Sequence, residues 1–203
     1  MRTEIRVSGY GGQGVILAGY IIGKATAIFE KKHATLTQSF GPEARGSACS
    51  AQVICSDEPI HYPYIRTPNI LIAMSQEAYT KFEPELDPNG LLLIEEDLVK
   101  AKPPRDNIRM YAVPATRLAE QLGRRIVLNI VMLGFFTAVT NTVSKEAMEK
   151  AVLSSIPKGT EEINRKAFET GYEYGMKLLA SRGEQRAASG AGSPRKRKAA
   201  AKE

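Results

Sequence analysis

A glycine-rich turn follows the first predicted strand and restricts what this chain can fold into. The segment VSGYGGQG places glycines at positions 9, 11 and 14, the GxGxxG spacing of a strand-to-helix turn in Rossmann-like proteins. Glycines at such a turn let the backbone bend sharply and approach a bound phosphate closely. The turn therefore predicts an α/β protein that begins with a strand, this turn and a helix.

The second predicted strand lacks the side chain that a nicotinamide site needs. In dinucleotide-binding proteins, an acidic residue at the end of that strand holds the ribose hydroxyls. Here the strand ends in Gln38, Ser39 and Phe40, and Glu30 lies earlier, at the end of the preceding helix. Three roles then remain for the turn: a purely structural one, a site for the phosphate of another cofactor, or a contact with a partner. A stand-alone nucleotide-binding Rossmann-like protein is the alternative interpretation.

Strand and helix patterns alternate over the first half of the chain, and helical patterns dominate from Pro114 onward. This order predicts a mixed, mainly parallel Rossmann-like sheet flanked by helices, with a helical C-terminal part. The longest apolar run, from Ile126 to Val139, contains Asn129 and is shorter than the roughly 20 residues that a membrane span needs. We interpret it as a buried helix, and we predict that Ser144 caps the next helix, SKEAMEKAVLSSI. The strands after the first are predicted at HATLTQS, ACSAQVICS, NILIAMS, LLLIEE and NIRMYAV.

The C-terminal segment differs in composition from the rest of the chain. Residues 181–203 carry seven Lys or Arg and two Asp or Glu, so most of the formal charge of +6 lies there. We therefore predict a folded domain over residues 1–180 and a disordered basic tail over residues 181–203. The run from Arg195 to Lys198 lacks interleaved aromatic residues, so we expect no nucleic-acid binding. Docking to an acidic protein is an alternative role for the tail.

The two cysteines predict neither a metal site nor a disulfide framework. Cys49 and Cys55 lie in one predicted strand, and about 20 Å of extended chain separates them. They cannot share one metal ion. Two free thiols, together with an N-terminus that lacks the apolar run of a signal peptide, predict a protein of the reducing cytoplasm.

A charged loop follows the second predicted strand. In FGPEARGSA, Pro42 stiffens a turn between two glycines, and Glu43 and Arg45 project from the loop. Loops at the ends of parallel strands are where α/β proteins place their sites. Arg45 can bind a phosphate or carboxylate through two parallel hydrogen bonds. The structural alternative is an ion pair with Glu43 or with a neighbouring chain.

Several segments together resemble one protein family. GYGGQGVILAG, TLTQSFGPEARGSACSAQVICSDEPIHYP and NILIAMSQEAYTKF resemble the gamma subunit of 2-oxoacid:ferredoxin oxidoreductases, most of all the 2-oxoglutarate enzymes. The match runs in order from about Arg2 to Ala180. It implies a subunit, inactive alone, of an enzyme that converts a 2-oxoacid and coenzyme A to an acyl-CoA, CO2 and reduced ferredoxin. Pyruvate and aryl-oxoacids such as indolepyruvate are the alternative substrates.

The resemblance also implies where the cofactors lie. Thiamine diphosphate, Mg²⁺ and 4Fe–4S clusters are expected in the alpha, beta and delta subunits, and we predict no catalytic residue in this chain. We hypothesise that its glycine turn and charged loop face those partners near the acyl-transfer cleft, where they could hold coenzyme A phosphates. The predicted binding residues are Gly9, Gly11, Gly12, Gln13, Gly14, Gly41, Glu43, Arg45 and Gly46.

Overall fold

The protein is built around a mixed six-stranded sheet. The computed structural model describes residues 1–39, 48–105 and 107–190, with side chains described to residue 183. The strands are β1 (Arg2–Tyr10), β2 (His33–Ser39), β3 (Ala48–Ser56), β4 (Ile70–Ala73), β5 (Leu91–Glu95) and β6 (Arg109–Val113). Their order is β2-β3-β1-β4-β5-β6. Strand β3 is antiparallel to β1 and β2, whereas β1, β4, β5 and β6 pair in parallel, which confirms the predicted mixed sheet.

Helices flank the sheet in the predicted order. They are α1 (Val15–Lys24), α2 (Gln76–Phe82), α3 (Ala115–Gln121), α4 (Leu128–Thr140), α5 (Lys145–Leu153) and α6 (Glu161–Gly190). Helix α1 continues into a π-helical turn at Ala25–Phe29, and a 3-10 turn at Arg125–Val127 precedes α4. The predicted cap of α5 is confirmed, because the Ser144 hydroxyl accepts a hydrogen bond from Ala147 N. None of the described helices is long and apolar enough to cross a membrane.

Helices α4 and α6 approach each other so closely that their backbones touch. A Cβ atom built on Gly134 would lie 2.0 Å from Phe168 O, and one built on Gly171 would lie 2.0 Å from Val131 O. No side chain fits at these distances, so both positions require glycine. Because α4 is covered by α6 on one side and by the rest of the core on the others, its residues Leu128 to Ala138 are all buried, as an apolar helix of this kind should be.

The start of α4 corrects one prediction. The apolar run was expected to be buried from Ile126 onward, but Ile126 lies in the 3-10 turn before the helix and is 76% exposed. Val127, the next residue, is buried. Adjacent side chains in a 3-10 turn point about 120° apart, so Val127 faces the core while Ile126 faces solvent.

The last helix extends past the predicted domain boundary at residue 180. Helix α6 continues to Gly190, because the segment SRGEQRAAS is rich in Arg, Glu, Gln and Ala, which have high helix propensity. The helix thus runs ten residues past Ala180, and the domain boundary itself stays a prediction. Residues 191–203, with the run from Arg195 to Lys198, lie outside the described residues.

Both cysteines are buried in β3 and are free thiols. Burial raises the pKa of Cys55 to about 11, although a hydrogen bond from the Thr26 hydroxyl to its sulfur lowers it in part. Burial also raises the pKa of Cys49. Since the thiolate is the reactive form, both side chains act as small core residues at neutral pH.

We expect Gly171→Ala to lower the free energy of unfolding by about 3 kcal/mol or more, because the added methyl group overlaps backbone atoms of α4. Gly183→Ala is the matched control in the same helix. A Cβ at Gly183 meets nothing within 4 Å, so this change should stabilise the helix by up to about 1 kcal/mol. Urea unfolding of both variants measures the difference; equal stabilities would contradict the close helix contact.

We expect Cys55 to resist alkylation in the folded protein. At pH 8, a pKa of about 11 instead of 9.0 lowers the thiolate fraction about 100-fold, and the rate should rise with pH until the thiol ionises. Iodoacetamide labelling of Cys49→Ser, which leaves Cys55 as its single thiol, measures this rate directly. The same variant unfolded in urea is the control, and similar rates in both states would refute the assignment.

Candidate functional site

The glycine turn lies at the carboxyl edge of the parallel strands, between β1 and α1. Gly12 and Gly14 have φ angles of 100° and 72°, values that favour glycine over every other residue. Gly14 is the N-cap of α1, and the first turn of that helix carries no acidic side chain. Gly11 and Gly12 are exposed. The turn thus presents backbone to solvent beside the positive end of a helix dipole.

Gln13 holds the turn in place from inside the protein. Its side-chain amide donates a hydrogen bond to Met74 O at 2.7 Å, and its carbonyl oxygen accepts one from Tyr10 N at 2.9 Å. A Cβ on Gly9 would lie 2.4 Å from that carbonyl oxygen. Gly9 therefore leaves the space into which the Gln13 side chain folds. Both residues shape the turn, and any contact they make with a ligand would come through their backbones.

Asn129, in the first turn of α4, contacts the other side of the turn. Its side-chain amide donates to Gly14 O at 3.4 Å, and a Cβ on Gly14 would lie 2.3 Å from the same nitrogen. Asn129 is only 4% exposed. Sequence reasoning gave it no functional role, although a polar residue within an apolar run is a usable signal, because buried polar groups need partners.

The topology brings both ends of the predicted charged loop to the glycine turn. Ala48, the first residue of β3, pairs with Tyr10, and Ala48 N donates a hydrogen bond to Glu77 Oε1 at 3.1 Å. Ser39, the last residue of β2, pairs with Ser50 on the same strand. Both ends thus lie at the carboxyl edge of β1. The predicted binding residues Gly41, Glu43, Arg45 and Gly46 lie outside the described residues.

A pocket of about 410 Å³ opens beside the glycine turn. It lies between that turn, the start of α4 and the start of α6, and most of its lining is aliphatic. Asn129, Thr160 and Asn164 contribute polar groups, and Arg124 lies at its mouth. Pockets of this size and character bind ligands or partner side chains. The pocket was not predicted, because its residues are far apart in the sequence.

This arrangement defines a Rossmann-like α/β protein with an open glycine turn at its strand ends. Within residues 1–39, 48–105 and 107–190, no group of three or more His, Cys, Asp or Glu could hold a metal ion. A family model, described as pyruvate ferredoxin/flavodoxin oxidoreductase, matches residues 4–174. The chain belongs to this family, and it is an oxidoreductase subunit. The predicted resemblance is confirmed, and the interpretation as a stand-alone nucleotide-binding protein is wrong.

Individual proteins that are similar to this chain support the same family assignment. The chain is 53% identical to 2-oxoglutarate synthase subunit KorC of Methanocaldococcus jannaschii, over 88% of this chain and 96% of the relative. It is 46% identical to 2-oxoglutarate synthase subunit KorC of Methanothermobacter marburgensis, over 87% of this chain and 98% of the relative. It is 32% identical to pyruvate synthase subunit PorC of the same organism, over 84% of this chain and 96% of the relative. A solved keto/oxoacid ferredoxin oxidoreductase gamma subunit from Geobacter sulfurreducens is 46% identical, with a TM-score of 0.79 over 89% of this chain and 98% of that one.

We expect Gln13→Glu to weaken the fold, because a carboxylate cannot donate to Met74 O and leaves that carbonyl facing an anion. The free energy of unfolding at pH 8 should fall by about 1–3 kcal/mol. The loss should shrink as the pH falls, because the protonated acid regains a donor. Urea unfolding at pH 5 and pH 8 measures both effects.

Gln76→Glu is the matched control for this change. Gln76 is exposed, and its carbonyl oxygen accepts a hydrogen bond from Lys100 N, which a carboxylate retains. Its unfolding free energy should therefore stay within about 0.5 kcal/mol of the wild type. Equal losses of unfolding free energy in the two variants would show that the buried hydrogen bonds of Gln13 contribute no more to stability than the exposed ones of Gln76.

Proposed function

We propose that this chain is the gamma subunit of an enzyme that oxidises 2-oxoglutarate, with coenzyme A as acyl acceptor and ferredoxin as electron acceptor. In that reaction 2-oxoglutarate and coenzyme A give succinyl-CoA, CO2, a proton and two electrons. The observation that carries the substrate assignment comes from one organism with both kinds of subunit. The chain is 46% identical to the 2-oxoglutarate subunit of Methanothermobacter marburgensis and 32% identical to its pyruvate subunit.

The proposal assigns the redox chemistry to other subunits. Thiamine diphosphate, Mg²⁺ and 4Fe–4S clusters would be held by the alpha, beta and delta subunits, and ferredoxin would receive the electrons there. The thiamine cofactor supplies the carbanion chemistry that oxoacid decarboxylation needs. This chain would contribute a shaped surface at the carboxyl edge of its sheet. We also propose that the enzyme works in the reducing cytoplasm.

The glycine turn is the part of that surface with the chemistry to bind coenzyme A phosphates. Backbone N–H groups at a helix N-terminus favour anions, and Gly12 has an exposed backbone and no side chain to block an approach. The ends of the loop that carries Arg45 lie beside the turn, at Ser39 and Ala48. A guanidinium there would add two charge-assisted hydrogen bonds to a phosphate. The remaining candidate role for these residues is contact with a partner subunit.

The substrate assignment is tested on the assembled enzyme. The tagged chain is purified with its partners, which are identified, and their thiamine diphosphate and iron are measured. Ferredoxin reduction is then followed with 2-oxoglutarate, pyruvate and indolepyruvate. We expect kcat/KM for 2-oxoglutarate to exceed the other two by about 100-fold or more. A preference for another oxoacid would overturn the substrate, and turnover by the isolated chain would overturn the subunit role.

The coenzyme A role is tested with Arg45→Ala in the same enzyme. We expect the KM for coenzyme A to rise about 10-fold, since a lost charge-assisted hydrogen bond costs about 1.5–3 kcal/mol, while the KM for 2-oxoglutarate stays constant. Arg66→Ala is the control, because this exposed arginine lies in the connection between β3 and β4 and is not one of the predicted binding residues. An unchanged KM with weaker subunit assembly would assign Arg45 to partner contact instead.

A further inference from the structure

The pocket beside the glycine turn has the composition of a protein-docking site. Its walls include Leu17, Val127, Ile130, Ile156 and Ile163, so an aliphatic group from another molecule would find apolar contacts on several sides. Its volume of about 410 Å³ exceeds that of any single side chain. The isolated chain therefore keeps an apolar cavity open at its surface, which is typical of a surface that a partner covers.

Two buried carboxamides add hydrogen-bonding capacity to the apolar walls. Asn129 and Asn164 both line the pocket and are only 4% and 6% exposed. The side-chain amide of Asn164 donates to Thr160 O at 2.8 Å and to Thr160 Oγ1 at 3.1 Å, and that of Asn129 donates to Gly14 O. Within the described part of the chain, neither side-chain oxygen accepts a hydrogen bond. Both oxygens are thus available to N–H donors of an occupant, such as peptide amides.

The rim of the pocket combines an exposed isoleucine with a cation. Ile126 is 76% exposed, and Arg124 is exposed and has no carboxylate within 4.0 Å among the described residues. The neighbouring Arg125 lies 3.8 Å from Glu120. A small ligand inside the pocket would leave Ile126 in water. A protein surface around the mouth would cover it, as at the centre of an interface.

Charge argues against two other occupants. A two-fold contact between copies, centred on the pocket, would bring the two Arg124 side chains together. The C-terminal segment, residues 191–203, is itself basic, so Arg124 would repel it. An acidic partner surface would instead be attracted to Arg124.

We propose that this pocket seats an aliphatic side chain from an acidic segment of a partner subunit. The backbone amides of that segment donate to the Asn129 and Asn164 oxygens, and one of its carboxylates pairs with Arg124. The inference rests on the proposed function, because it requires the multisubunit enzyme, and it adds the location and chemistry of one subunit contact.

The test compares two exposed isoleucines in the purified complex. Ile126→Asp should weaken binding of this chain to the other subunits by at least about 10-fold, because the new carboxylate enters an apolar contact and repels the acidic segment. Ile28→Asp is the matched control. Ile28 is 62% exposed and lies in the π-helical turn after α1, away from the pocket, so its variant should bind within about two-fold of the wild type. Association is measured by biolayer interferometry and by native mass spectrometry.

A second variant tests the predicted ion pair between Arg124 and the acidic segment of the partner. Arg124→Glu should lower the affinity at low salt, and this loss should diminish as salt rises, because screening weakens contacts between exposed charges. An unchanged affinity in Arg124→Glu and in Ile126→Asp would overturn the inference. So would a wild-type homodimer that Ile126→Asp converts to a monomer, or intact assembly with a raised KM for coenzyme A. Wild-type chain that fails to join any complex would instead overturn the proposed function.

Discussion

The close contact between α4 and α6 organises the end of the molecule that carries the site. Gly134 and Gly171 let the two backbones touch, and this contact fixes the position of one helix relative to the other. The first turn of α4 then brings Asn129 against Gly14, and the first turn of α6 brings Asn164 to the same pocket. Because both asparagines depend on one helix crossing, the pocket and the support of the glycine turn are coupled by packing.

The glycine turn shows how this chain shapes the carboxyl edge of its sheet. Its glycines permit left-handed backbone at Gly12 and Gly14, while Gln13 turns inward and joins the end of β1 to the end of β4. The exposed part of the turn is therefore backbone. Backbone amides suit phosphate binding and partner contact equally, and both uses belong to the proposed function.

Sequence reasoning succeeded where the signal was local. The strands and helices follow from periodicity within short windows, and the Ser144 cap follows from residues three positions apart. It failed at Ile126, because this residue lies in the 3-10 turn before α4 with its side chain in solvent, and the apolar run does not mark where that turn ends and the buried helix begins. It also missed the inward orientation of Gln13, since the partner atom, Met74 O, is 61 residues away along the chain.

The amino-acid sequence by itself determined the α/β class, the strand-turn-helix at the glycines and the family to which the chain belongs. Each of these depends on residue types at fixed short spacings. Only the tertiary structure decided that the ends of the charged loop meet the glycine turn, that Asn129 and Asn164 share one pocket, and that Ile126 is exposed. These features depend on contacts between distant segments, which form only when the whole core packs together.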